Sequence, residues 1–276
     1  MTGSSSSPGR TGLAAIKAFP TLFRVGFADA VAYRAEFLVW ILTTNMSLVM
    51  LALWHAVARD QPVGPYGQKQ FVAYFLCTLV VRLLTGSWVV WQMNYELRQG
   101  LLAFRMLRPV HPMVHFCAEN LAALPVRAAF ALPISVVSLF VMGADQVTHD
   151  PVLIGVFVAS VLFAWLINFL AMAIIAVAGF YVESSVSLFQ IWFGMYMVLS
   201  GYIVPLDLFP GWLAGLAKVL PFRFMLSASV ETLLGRFDRL GAFALLGASA
   251  AWSAGLLAVL VFFWRAGVRR FNAYGG

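Results

Sequence analysis

Three ionisable residues, Arg82, Glu119 and Arg127, stand inside long apolar runs where charge is costly. A charged side chain at membrane depth persists where it pairs, lines a polar path or does chemistry. Glu119 and Arg127 are eight positions apart on one run, a helical rise of about 12 Å, so they do not pair within a helix. The pattern predicts instead that Arg82 reaches Glu119 across two helices, either as structural glue or as polar lining of a substrate path. Other reactive residues are dispersed. His55, His111, His115 and His149 fall on different connections and runs, so no metal ligand is assigned among them. Cys77 and Cys117 lie in apolar runs without Cys-x-x-Cys spacing and read as packing residues. The chain lacks a Gly-x-x-x-x-Gly-Lys-Ser/Thr phosphate loop, a Gly-x-Ser-x-Gly elbow and a His-Glu-x-x-His zinc pattern, and no catalytic constellation is assigned.

The elements that carry these residues follow from composition. Of 276 residues, 62% are hydrophobic and 11% charged, with a mean hydropathy of +0.88; soluble domains are about 45–50% apolar. Runs of about 20 apolar residues must be helices in a bilayer, because barrel strands would be about 10 residues of alternating polarity. The length rule places spans near residues 37–57, 71–93, 114–142, 152–181, 188–204 and 242–264. The expected fold class is therefore an all-α integral membrane protein of about six transmembrane helices. Pro125 and Pro133 are expected to kink the third.

Residues 1–12, rich in Ser, Gly and Thr, are expected to be disordered. Residues 13–34 place Phe23, Phe27 and Ala30 at helical spacing with Arg24 and Arg34 between them. That pattern fits an amphipathic interfacial helix, or else a solvated lead-in to the first span. No cleavable signal is expected there, since Lys17, Pro20, Arg24 and Asp29 interrupt the apolar run. Residues 35–276 form the six-helix membrane domain.

The net charge of +7 is read as basic flanks rather than nucleic-acid binding. Arg10, Lys17, Arg24 and Arg34, then Arg98, Arg105 and Arg108, then Arg265, Arg269 and Arg270 mark the cytoplasmic side, whereas residues 143–150 carry only acids and His149. Both termini are therefore expected in the cytoplasm. Lys218, Arg223, Arg236 and Arg239 in the fifth connection run against this rule.

Two connections depart from plain loops. Residues 95–109 form a short basic helix whose Leu97, Leu101 and Phe104 make one stripe beside Arg98 and Arg105, with Pro109 and Pro112 as stops. Such a stripe can enter a groove on a partner, or the arginines can simply mark the cytoplasmic side. Residues 205–222 hold Pro205, Phe209, Pro210, Trp212, Pro221 and Phe222 around an apolar stretch too short to span. The punctuation reads as short re-entrant helices at an external gate, or as an interfacial anchor on Trp212 and Phe222.

At these two places the chain resembles a known family. Tyr95-Glu-Leu-Arg-Gln-Gly100 with Met106-Leu-Arg-Pro-Val-His-Pro112 resembles the intracellular motif of ABC-2 type permeases, in the bacterial branch with paired permease genes. Gly201, Val204-Pro-Leu, Phe209-Pro-Gly-Trp212 and Leu220-Pro-Phe222 resemble that family's extracellular re-entrant segment. The resemblance covers nearly all the chain after Leu13. It implies a type V exporter-like permease in the bacterial inner membrane, working with two ATP-binding subunits and a second permease, a heterodimer being favoured and a homodimer open. It also implies that Leu97, Arg98, Gly100, Leu101, Phe104, Arg105, Leu107, Arg108 and Pro109 couple to the ATPase. Pro205, Phe209, Pro210, Trp212, Pro221 and Phe222 would line the outer gate. ATP and Mg would bind the partner and no cofactor this chain; the cargo would be amphipathic, such as a drug-like compound, lipid or lipid-linked glycan. A membrane-embedded enzyme and a non-transporting scaffold are the rival readings; clustered catalytic groups, which the first requires, are missing.

Overall fold

The computed structural model describes residues 8–32 and 46–274. The expectations for residues 1–7 and for the first part of the first span, 37–45, lie outside the described residues. The first helix, α1 (Pro8–Ala32), begins five residues before the expected start and runs through Pro20. It lies along α6 (Pro112–Ala122), with Gly26 facing Ala122 at close range. Its Ala30 is buried against Ala123 and Val126, while Val25, Phe27 and Val31 are exposed.

Among the described residues, three helical stretches are long and apolar enough to cross a membrane: Gln68–Arg98, Pro151–Phe180 and Arg239–Arg270. The first is two helices, α3 (Gln68–Thr85) and α4 (Val89–Arg98). The second is α8 (Pro151–Val177) with a closing 3-10 turn, and the third belongs to α13 (Arg239–Tyr274). Among the same described residues, two shorter apolar helices are α2 (Met46–Val57) and α9 (Ser185–Leu199). α3 is the hub, packed by α2, α7 (Leu124–Gly143) and α8. α13 lies along α8 as the outer wall: 17% of its most apolar window is buried, against 83% for the stretch containing α3.

Several boundaries differ from the sequence expectation for identifiable reasons. The second span breaks at Gly86, whose extended ψ of 142° ends α3, and α4 restarts at Val89. The third breaks at Ala123. Pro125, in the first turn of α7, has no N–H to return to the preceding turn, so the helix stops and restarts there, and it then continues through Pro133. Pro112 starts α6 rather than stopping its predecessor: it occupies the first turn, and His111 Nδ1 accepts from the Met113 N–H at 3.2 Å. Asp150 and Pro151 start α8 in the same way, Asp150 accepting from the Val152 N–H at 2.9 Å. The fifth expected span ends early, at Leu199, because Gly201 takes a left-handed φ of +83°.

Contacts sort the connections to two ends. Tyr66 bonds Asp207, Lys69 lies 3.5 Å from Asp145, and Arg239 bonds Asp150 at 2.8 Å, so these connections share one end. At the other, Arg98 Nη2 donates to the Glu183 carbonyl at 2.6 Å, and the rings of His111 and Phe180 lie 5.0 and 5.7 Å from Trp264. The core divides accordingly. Tyr66, Phe71, Tyr74 and Phe75 stack near the first end, and Phe116, Trp165, Phe169 and Met93 pack nearer the second.

Candidate functional site

Between α4 and α6 the chain does not form one helix. Gly100, at φ +71° with nothing near the place of a Cβ, ends α4 and starts α5 (Leu101–Met106) at a new angle. The turn brings Arg105 back over Glu96, nine residues earlier. Its Nε and Nη2 donate to the Glu96 carboxylate at 2.8 and 2.5 Å, and Nη1 donates to Glu119 on α6 at 2.9 Å. Gln92 completes the set by donating to Glu119, and the Arg105 guanidinium lies 4.4 Å over the Phe116 ring. Partial burial works against the Arg105 charge, but the bonds to Glu96 and the charge of Glu119 outweigh it and hold its pKa above the ordinary value.

This clamp fixes one face of α5 and frees the other. Leu102 is fully buried, whereas Leu101, Phe104 and Leu107 are 42%, 68% and 82% exposed. Leu97, expected on the outward stripe, turns inward against Gly179. Arg98, Arg108 and Pro109 are exposed and Gly100 forms the hinge. Arg105, expected beside the stripe, is committed internally.

The expected pair of Arg82 with Glu119 does not form. Glu119 is held by Arg105 and Gln92 at one end of the bundle, while Arg82 lies with its guanidinium 5.6 Å from the Tyr196 ring and 5.9 Å from the Tyr202 ring. The turn at Gly100 carries Arg105 to Glu119 on α6, which leaves Arg82, near the end of α3, with the two tyrosine rings. Arg127 has a third environment. Fully enclosed, it donates from Nη1 to the Gly86 carbonyl and stands 4.1 Å over Trp88. Asn120 Oδ1 accepts from the Ser87 hydroxyl at 2.9 Å and from the Trp88 N–H at 3.1 Å. Arg127 and Asn120 thus satisfy the backbone that the α3–α4 break frees, which unsatisfied would cost several kcal/mol in hydrocarbon.

At the opposite end the chain dips inward after α9. Gly201 meets Tyr74, whose hydroxyl donates to the Gly201 carbonyl at 2.8 Å. A 3-10 turn, Leu206–Leu208, leads to α10 (Gly211–Val219), α11 (Pro221–Phe224) and α12 (Ser227–Leu233). Pro205 is buried, Phe209 and Pro221 are half-buried and Pro210 is exposed. Trp212, with Leu216 and Val219, forms an outward stripe on α10, Trp212 being 75% exposed. The buried part starts at Phe222, where the sequence expectation ended, and runs through Thr232 against α8 and α3. Inside it Arg223 Nη2 donates to Glu231 at 2.7 Å, both side chains enclosed. The Tyr66 hydroxyl donates to Asp207 at 3.0 Å, and burial, followed by the charge of Asp207, pushes the phenol pKa up.

Residues 38–275 match the family model described as ABC-2 family transporter protein. The chain belongs to the ABC-2 transporter family. Neither the comparison with curated proteins nor that with solved structures gave a match.

For an ABC-2 transporter chain these findings place the protein among multi-pass membrane components of transport systems, a class that works with ATP-binding subunits and is generally non-catalytic itself. The geometry accounts for the basic excess of the fifth connection. Arg223 pairs with Glu231, Arg239 with Asp150, and Arg236 lies 4.9 Å from the Tyr66 ring, so three of those four cations are locally engaged. Sequence reasoning missed Glu96, Asn120 and Glu231. Glu96 to Arg105 and Arg223 to Glu231 are nine and eight apart, a rise of about 12–14 Å on one helix and too long for an ion pair, so the Gly100 turn and the breaks around α11 bring them together. The Gly-Leu-Leu pattern at Gly100 was the one available signal for the first.

Proposed function

We propose that this chain is the permease subunit of an ATP-driven exporter and that it couples to a separate ATP-binding subunit through α5. The observation that carries the reading is the stripe Leu101, Phe104 and Leu107, held rigidly outward by Arg105 on Glu96 and Glu119. A fixed apolar ridge flanked by exposed Arg98 and Arg108 is the form a groove-docking helix takes. A ridge on a flexible loop would lose its energy of docking to ordering. The clamp ties α5 to α4 and α6, so a push on the ridge is passed to two spans as one body.

Six spans with both termini in the cytoplasm complete the proposal, in the bacterial inner membrane, with two ATP-binding subunits carrying ATP and Mg and a second permease subunit. The grouping of the basic connections 98–111 and 264–270 at one end supports that orientation. At the outer end, the segment from Pro205 to Phe222 would line the gate for an amphipathic cargo, with Trp212 at its rim.

Replacing both Leu101 and Phe104 by Asp tests the docking. The exposed positions predict a change in thermal stability within about 0.5 kcal/mol, while substrate-stimulated ATP hydrolysis by the assembled complex falls to the level of the ATP-binding subunit alone. Normal coupling in that double variant would overturn the assignment.

A further inference from the structure

The outer wall α13 faces away from the bundle over most of its length, yet near its second half it forms one side of an open groove of about 620 Å³. Met113 and Val114 of α6 form the other side, and Leu257, Leu260 and Val261 line the floor and wall. Arg265 and Arg269, one helical turn apart, close the groove at the end of the bundle that carries α5. From Leu257 to Arg269 the helix rises about 18 Å, close to one leaflet of a hydrocarbon core about 30 Å thick.

The two arginines are exposed, and among the described residues no carboxylate stands within salt-bridge distance of either. The neighbouring Arg270 is otherwise engaged, 5.4 Å from the Tyr181 ring. His111, also on the lining, adds no charge at neutral pH, because burial holds its pKa below the usual histidine range. The groove therefore offers a leaflet-deep apolar slot with two cations at its mouth. A basic pocket between transmembrane helices at a membrane surface is the form that recognises an acidic lipid headgroup.

We propose that this groove binds one anionic glycerophospholipid of the surrounding bilayer, its headgroup phosphate on Arg265 and Arg269 and an acyl chain along Leu257, Leu260 and Val261. A transmembrane helix of another protein would fit the apolar wall but would leave both cations without a counter-charge. The site lies apart from the α5 ridge and does not depend on transport.

Native mass spectrometry of the full chain, purified in detergent and titrated with phosphatidylglycerol or phosphatidylcholine, tests the proposal. Wild type retains phosphatidylglycerol preferentially. With each arginine near a surface contributing on the order of 1 kcal/mol to anionic lipid binding, Arg265→Gln with Arg269→Gln weakens phosphatidylglycerol about thirtyfold and leaves phosphatidylcholine unchanged. Arg265→Lys with Arg269→Lys keeps the preference, which separates loss of charge from loss of fold. Leu257→Trp, filling the slot, lowers retention of both lipids. Equal retention of the two lipids by wild type, or an unchanged preference in the glutamine pair, overturns the proposal. Displacement of the lipid by inorganic phosphate alone overturns it as well, since the slot would then contribute nothing. No ATP is present, so these results leave the docking assignment of α5 to its own experiment.

Discussion

At one end of the bundle an arginine holds a six-residue helix out from the surface; at the other an arginine accompanies a seven-residue helix into the core. Both use a pair with glutamate, Arg105 with Glu96 and Arg223 with Glu231. The difference lies in what the rest of each helix carries. α5 has Leu101 and Phe104 on its free face, so the clamp leaves an apolar ridge unpartnered. α12 carries mostly small and hydroxyl residues, with Thr232 donating to the Ala228 carbonyl at 2.7 Å and Ser229 accepting from the Ser160 hydroxyl of α8 at 2.9 Å. Small residues let α12 approach α8 closely, and closeness rather than large apolar area joins helices inside lipid. An ion pair therefore does not by itself decide whether a helix fragment is presented or swallowed; its companions do.

The sharpest way to break this comparison is to remove one partner at each end. Glu231→Ala leaves Arg223 enclosed and uncompensated and is expected to cost about 3–5 kcal/mol, read as lost folded protein and a lowered unfolding temperature in detergent. Replacing the pair together, Arg223→Met with Glu231→Leu, recovers most of that loss. Glu96→Ala, where Arg105 retains Glu119 and some solvent, costs about 2 kcal/mol. Equal losses for the two alanine variants would erase the distinction between the ends.

Two glycines sharpen it next. Both Gly201 and Gly100 have positive φ, but a Cβ on Gly201 would lie 2.5 Å from the Tyr74 hydroxyl and 3.0 Å from Ser227 Cβ, whereas a Cβ on Gly100 meets nothing within 4 Å. Gly201→Ala is expected to cost about 3 kcal/mol, from left-handed strain and overpacking together. Gly100→Ala bears the strain alone, about 1 kcal/mol. The same thermal measurement ranks them, and a reversed order would show that α5 is the tighter end.

The smallest expected effect is a pH dependence at the end that carries Asp150 and Arg239. The Arg239 guanidinium, then the Val152 N–H, hold the Asp150 carboxyl below its usual range. A depressed carboxylate contributes stability above its unfolded value, near 4, and loses it as pH falls through the lower folded value. Asp150→Asn keeps the helix cap and removes the charge. The gap in unfolding temperature between wild type and Asp150→Asn should close below about pH 4; a gap that stays constant down to pH 3 would refute the pairing.

Much of this was legible from residue order. The apolar runs containing Phe71, Val152 and Ala242 are long helices, the stretch around Gly100 is a distinct basic element, and the prolines at 205, 210 and 221 punctuate a non-spanning segment. The partners of the charges were not legible. Arg82, Glu119 and Arg127 were visible as costly, yet Arg82 meets tyrosines, Glu119 meets Arg105 and Arg127 serves a broken backbone. Nor did the residues after Phe222 reveal their burial, since Ser227 to Leu233 carries too little apolar character to announce it.

Hydropathy acts residue by residue, so the linear chain alone determined that this protein is helical, embedded in lipid and punctuated at two special connections. Pairing of charges, the break at Gly86 and the sinking of α12 were decided only in three dimensions. They depend on which groups meet across helices, and in a medium without water every freed backbone group and every buried charge must find such a partner.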